Sequence, residues 1–221
     1  MRGYVAALGE RYRPILIDAR GDGLSDKPQD PEAYRIALYA ADVVAILDDL
    51  HIARAYFLDY SAGGMHARER CLSLILGDDG AIVLRAAGDP AARKTIALVR
   101  RDIDAWADTW GNAPPEVVER PRRNDPLALI ANRALFERRG FAAALPQFDR
   151  PCLIYAGETD DVHAEARAAA AIVPRARFVS FPDLNHGLCF SRSDLVLPHI
   201  IAFLAEVDPR GDGQRGRSST R

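Results

Sequence analysis

The chain has 221 residues, 48% of them hydrophobic and 27% charged, with 29 basic against 31 acidic side chains. That length suits one domain with a substantial core, and the composition excludes wholesale disorder, collagen and coiled coil. A formal charge of -2, with acids and bases interleaved, supplies no field for nucleic acid or anionic lipid.

Cys71, Cys152 and Cys189 are an odd number at wide spacings, which fits neither a disulfide framework nor a zinc site. No apolar run approaches the ~20 residues a membrane span requires. Residues 1–13 lack the continuous apolar stretch of a signal peptide. These features point to a cytoplasmic protein.

In chain order, residues 14–18 (PILID) are a short apolar run before a Gly-rich turn and predict a buried strand. Residues 34–50 predict a helix with Ile36, Ala40, Val43, Leu47 and Leu50 on one face. A strand is expected at 55–59, broken at Ser61-Ala62-Gly63-Gly64, then a helix over 63–76, a turn at 77–80 and a strand at 81–86. Residues 90–110 and 126–145 read as helices, with prolines 114, 115 and 121 between them. Strands are expected at 152–156 and 177–181, helices at 164–172 and 194–207, and a disordered Gly/Arg/Ser tail over 208–221.

Strands separated by helical crossovers imply an α/β fold, a mostly parallel sheet with helices on both faces. The division that follows is 1–87 and 149–207 as two parts of one core, with 88–148 as a helical lid insertion. Trp106 and Trp110, one helical turn apart, either line a pocket under that lid or pack it onto the core.

Three residues stand just beyond different strand ends. Ser61 lies on a sharp strand-to-helix turn whose small neighbours permit tight folding, a geometry that presents a nucleophile; a plain helix N-cap is the alternative. Asp160 follows the strand at 152–156, at the sheet edge where sites assemble. Asp161 and Asp89 are alternative acids. His186, beside a glycine after the last strand, is available as a base. His51, His66, His163 and His199 read as structural or solvated. The order Ser, Asp, His gives the three together a force that none has alone: the base takes the serine proton and the acid fixes the imidazole tautomer.

These segments resemble the α/β-hydrolase fold family over nearly all of residues 2–204. The stretch from Tyr12 to Pro28 resembles the family's D-x-R-G-H-G-x-S-D-K-P run, with Asp22 where His is usual. Residues 41–52 resemble the helix leading into the nucleophile elbow, and Asp59-Tyr60-Ser61-Ala62-Gly63-Gly64 the elbow itself. Residues 151–160 and Asn185-His186-Gly187 resemble the acid and base segments. The resemblance implies Ser61 as nucleophile, Asp160 as acid, His186 as base and the Ala62 N–H as an oxyanion donor, acting on a small-molecule acyl substrate without a cofactor or metal.

Two departures accompany it. Asp59 replaces the first glycine of G-x-S-x-G, placing a carboxylate near a developing oxyanion. The chain also begins at what resembles the helix after the family's third strand. The resemblance therefore implies a shortened member, with a gap in the sheet between 14–18 and 55–59 and one oxyanion donor fewer. An unpaired strand edge would favour a homodimer. A serine hydrolase for esters, thioesters or lactones is the reading that follows, and an inactive, ligand-binding descendant the alternative. Epoxide chemistry is disfavoured because it usually employs Asp as nucleophile.

Overall fold

The computed structural model describes residues 2–60, 68–78, 90–108, 115, 119, 122–136 and 145–208. Its frame is a sheet of four parallel strands, β1 (Ala55–Tyr60), β2 (Cys71–Gly77), β3 (Cys152–Gly157) and β4 (Ala176–Phe181), in chain order across the sheet. Around it lie α1 (Arg2–Gly9), α2 (Ile36–Asp49), α3 (Pro90–Arg101), α4 (Ile103–Ala107), α5 (Pro126–Phe136), α6 (His163–Ile172), α7 (His186–Ser191) and α8 (Ser193–Val207).

Alternation along the central strands sorts the core into two layers. Ile75, Leu153 and Tyr155 point to one face and pack with Tyr4 of α1, Cys189 of α7, and Val196, Ile200, Phe203 and Leu204 of α8. Leu74, Leu76, Ile154 and Ala156 point to the other and pack with Ala166 and Ala169 of α6, and with Leu145 and Phe148. The expected parallel sheet with helices on both faces is therefore what the chain forms. Trp106 joins Val99 and Leu129 in a separate apolar cluster, so it serves helix packing; Trp110 is outside the described residues.

Several expectations need correction. Residues 14–18 form no strand: among the described residues no strand lies beside them to complete a ladder, and Leu16 stays 57% exposed. Cys71–Gly77 is a strand, where a helix was expected to run on to Leu76. A continuous apolar run buried on both faces carries no period that distinguishes strand from helix, and parallel pairing on both sides decides it. The expected strand at 81–86 and the first part of that helix lie outside the described residues. The 90–110 helix is interrupted at Asp102, which caps α4 by accepting the Asp104 N–H. Asp208, assigned to the tail, is instead a buried helix cap; residues 209–221 are outside the described set.

The register brings Tyr60 level with Gly77, Gly77 with Tyr155, and Gly157 with Phe181. All four strands thus end together at one rim. In a parallel sheet that carboxyl edge is where loops converge on a site.

Candidate active site

Asp160 is held by a short loop that leaves β3 at Gly157. The Glu158 and Thr159 N–H groups donate to the carbonyls of Phe181 and Leu184, tying the loop to the end of β4 and the chain just beyond it. A Cβ on Gly157 would stand 2.1 Å from the Leu184 carbonyl oxygen, so this close backbone approach requires glycine. One carboxylate oxygen of Asp160 accepts the Val162 N–H at 3.1 Å, which orients the group. Its neighbour Asp161 is exposed; Asp89 lies outside the described residues.

His186 is the first residue of α7, not the loop residue expected. Asn185 precedes it as N-cap and accepts the Leu188 N–H at 2.9 Å. The Nδ1 of His186 lies 2.8 Å from Asp160 Oδ2, with the carboxylate 5% exposed and the imidazole 33% exposed. The acid and base predicted from sequence are therefore hydrogen-bonded partners.

Burial opposes a charged ring at His186, but the hydrogen bond and charge of Asp160, with the charge of Asp78, outweigh it and hold the imidazole above its ordinary pKa. Burial likewise works against the Asp160 carboxylate, and the hydrogen bond and charge of His186 overcome it, leaving that pKa below the usual range. With Nδ1–H donated to a carboxylate, Nε2 is the nitrogen left with a lone pair for proton transfer.

Two further residues, without a role predicted from the sequence, meet the pair. Asp78, immediately past β2 and 1% exposed, accepts the Gly157 N–H at 3.0 Å and meets the Tyr60 hydroxyl at 2.5 Å. Its backbone is left-handed, with φ 46°, a conformation Asp tolerates better than most residues. Tyr60, the last residue of β1, also touches the His186 carbonyl oxygen with its hydroxyl, and its ring lies 5.2 Å from the imidazole. The available signal was register: strand ends sharing one rim bring their last residues together. That signal was obscured while 71–76 read as helix.

The donor atoms of Asp78, Asp160 and His186 lie within 4.8 Å of one another, the one such convergence among the described residues. Close as they are, the His186 Nδ1 is committed to Asp160. The remaining described histidines stand apart. His163 bonds Ser180 and packs on Phe178, His199 packs on Phe181, and His51 follows α2 with φ 54°. Asp22, where His is usual in the family resemblance, accepts the Asn124 side-chain N–H at 2.8 Å and so links its loop to the approach of α5. Ser61 and Ala62 are outside the described residues, although Tyr60 is their immediate neighbour in the chain.

The sequence profile of the alpha/beta hydrolase family matches residues 2–198. The chain belongs to that family. A cis-3-alkyl-4-alkyloxetan-2-one decarboxylase of Xanthomonas campestris is 30% identical, over 92% of this chain and 83% of that protein. The 3-oxoadipate enol-lactonase 2 of Acinetobacter baylyi is 36% identical, over 72% of this chain and 65% of that protein. Among solved structures, an enol-lactonase from Burkholderia xenovorans LB400 superposes with a TM-score of 0.79 at 25% identity, covering 91% of this chain and 84% of that one. No helix among the described residues of this alpha/beta hydrolase is long and apolar enough to cross a membrane.

Proposed function

We propose that the chain hydrolyses a carboxylic ester, thioester or lactone through an acyl-enzyme formed on Ser61. The observation that carries this reading is the 2.8 Å Asp160–His186 pair at the sheet's carboxyl rim, bonded through the His186 backbone to the residue preceding Ser61. In the proposed reaction His186 Nε2 takes the serine proton as Ser61 Oγ attacks the carbonyl. The Ala62 N–H supports the oxyanion, and His186 then returns the proton to the leaving oxygen or sulfur. Water, activated by the same imidazole, releases the acyl group. Relatives named as enol-lactonases support the lactone arm. The helical region 88–148 is proposed as the lid over the acyl site.

Asp59 favours a second reading, a ligand-binding member with little turnover, because its carboxylate stands two residues before the nucleophile. Three buried free cysteines support a cytoplasmic location. The outer edge of β1 supports a homodimer.

A serine-reactive fluorophosphonate separates the two functional readings. Hydrolase function predicts a covalent adduct mapped to Ser61 by mass spectrometry and abolished in Ser61→Ala. A folded wild type that stays unlabelled, and is still unlabelled as Asp59→Gly, would establish the binding reading instead.

A further inference from the structure

Tyr60 presents a proton-counting problem. Its hydroxyl has one hydrogen, yet its oxygen lies within hydrogen-bond distance of two acceptors, the Asp78 carboxyl and the His186 carbonyl. The protonation state of Asp78 decides how that one hydrogen is shared. If Asp78 is ionised, Tyr60 donates to Asp78 and releases the His186 carbonyl. If Asp78 is protonated, its O–H donates to the phenol oxygen or to the adjacent Asp160 carboxylate, and in either case Tyr60 is released to donate onward to His186. The phenol is not the group that ionises, because burial and the Asp78 charge push its pKa far up.

We propose that Asp78 is a positioning residue for His186: its ionisation turns the Tyr60 hydroxyl from the His186 backbone toward itself and sets how tightly the imidazole holds its proton. The proposal rests on the hydrolase reading only for its catalytic consequence; the proton switch itself is a property of the resting protein. Asp78 touches no reacting atom and acts through Tyr60 and through its charge.

Every element packed around Asp78 contributes a group. Tyr4 comes from α1, Tyr60 from β1, Tyr155 from β3, Asp160 from the loop after β3, and His186 and Cys189 from α7. Burial raises the Asp78 pKa to about 6; the Tyr60 and Cys189 hydrogen bonds and the His186 charge work against this, and the Asp160 charge works with it. Arg133 of α5 opposes protonation of His186 from another side. An ionised Asp78 therefore favours the imidazolium, and a neutral Asp78 disfavours it. Asparagine mimics the neutral form: its amide N–H can donate to Tyr60 while its carbonyl accepts from Gly157.

The test is a carbon-13 NMR pH titration of the Asp78 carboxyl and the His186 ring in the full chain. In wild type the Asp78 midpoint is expected near 6. In Asp78→Asn the His186 midpoint moves to lower pH, and in Tyr60→Phe the Asp78 midpoint moves to higher pH because a stabilising donor is lost. A wild-type Asp78 midpoint in the ordinary range near 4, or an unmoved His186 midpoint in a folded Asp78→Asn, would overturn the proposal. A purely structural Asp78 would change stability and leave the His186 midpoint in place. The midpoints owe nothing to Ser61. Shifted midpoints without fluorophosphonate labelling would defeat the hydrolase reading alone, whereas labelling with unmoved midpoints would defeat this inference alone.

Discussion

Strands β3 and β1 are both six residues long, and both end at the site. All six residues of β3 are buried; none of β1 is fully buried, and Leu58 is 40% exposed. The difference is one of partners: β3 has a strand on each side and helices on both faces, whereas β1 is the edge of the sheet. The same contrast reaches the flanking helices. α8 buries Val196, Leu197, Ile200, Phe203 and Leu204, while the apolar stripe of α2 buries only Leu47. The Asp160–His186 pair thus stands on the well-packed half of the molecule, and Tyr60, the residue before Ser61, at the end of the sparsely packed strand. Tyr60 joins the halves at the site itself.

Substitutions sharpen that contrast, beginning with the severest. Gly157→Ala drives a methyl group into backbone 2.1 Å away, so the acid loop must move. Loss of roughly 4 kcal/mol or more is expected, read by denaturant melting, with loss of labelling at Ser61. Leu153→Ala, in the middle of β3, is expected to cost about 2–5 kcal/mol. Leu58→Ala, the corresponding cut in β1, is expected to cost less than about 1 kcal/mol. Equal costs would show that β1 is covered in solution, as a homodimer through its edge would require.

Acid–base behaviour runs the other way, because the buried carboxyl of Asp78 is a liability there. The folded-state pKa of Asp78, about 6, lies above that of the unfolded chain. Its favourable contribution is present below the ordinary carboxylate pKa and is lost as pH rises through about 6. Asp78→Asn is therefore expected to be more stable than wild type at pH 7, by on the order of 2–3 kcal/mol, and to match it more closely near pH 4. Asp160 has the opposite sign: its lowered pKa gives stability above the ordinary value that disappears as pH falls through the folded one. The smallest effect is expected at the exposed segment 14–18, where Leu16→Ser should alter stability by no more than about 0.5 kcal/mol.

Sequence periodicity located the elements of the packed half well. The expected helices at 164–172 and 194–207 correspond to α6 and α8, and the expected strands at 152–156 and 177–181 to β3 and β4. It failed where tertiary partners decide. Residues 14–18 have strand-like composition but, among the described residues, no strand beside them, and 71–77 have helix-compatible composition but two strands beside them. Asp160 and His186 were legible because a polar residue just beyond a strand end is placed by topology. Asp78 was hidden by the misread strand that ends before it, and Tyr60 by its resemblance to an ordinary aromatic strand residue. The α7 turn at His186 depends on the Asn185 cap, a local hydrogen bond whose signal is no stronger than that of a loop asparagine.

We propose that Asp160 holds His186 as the base for Ser61. The most direct measurement of that role is the second-order rate of fluorophosphonate labelling of Ser61 in wild type and in Asp160→Asn, compared at neutral pH with both proteins shown to be folded. An amide in place of the carboxylate favours the wrong imidazole tautomer, and the account predicts a fall of about 10³- to 10⁴-fold. An unchanged rate would show that the pair seen at the sheet's rim is not the machinery that activates the serine.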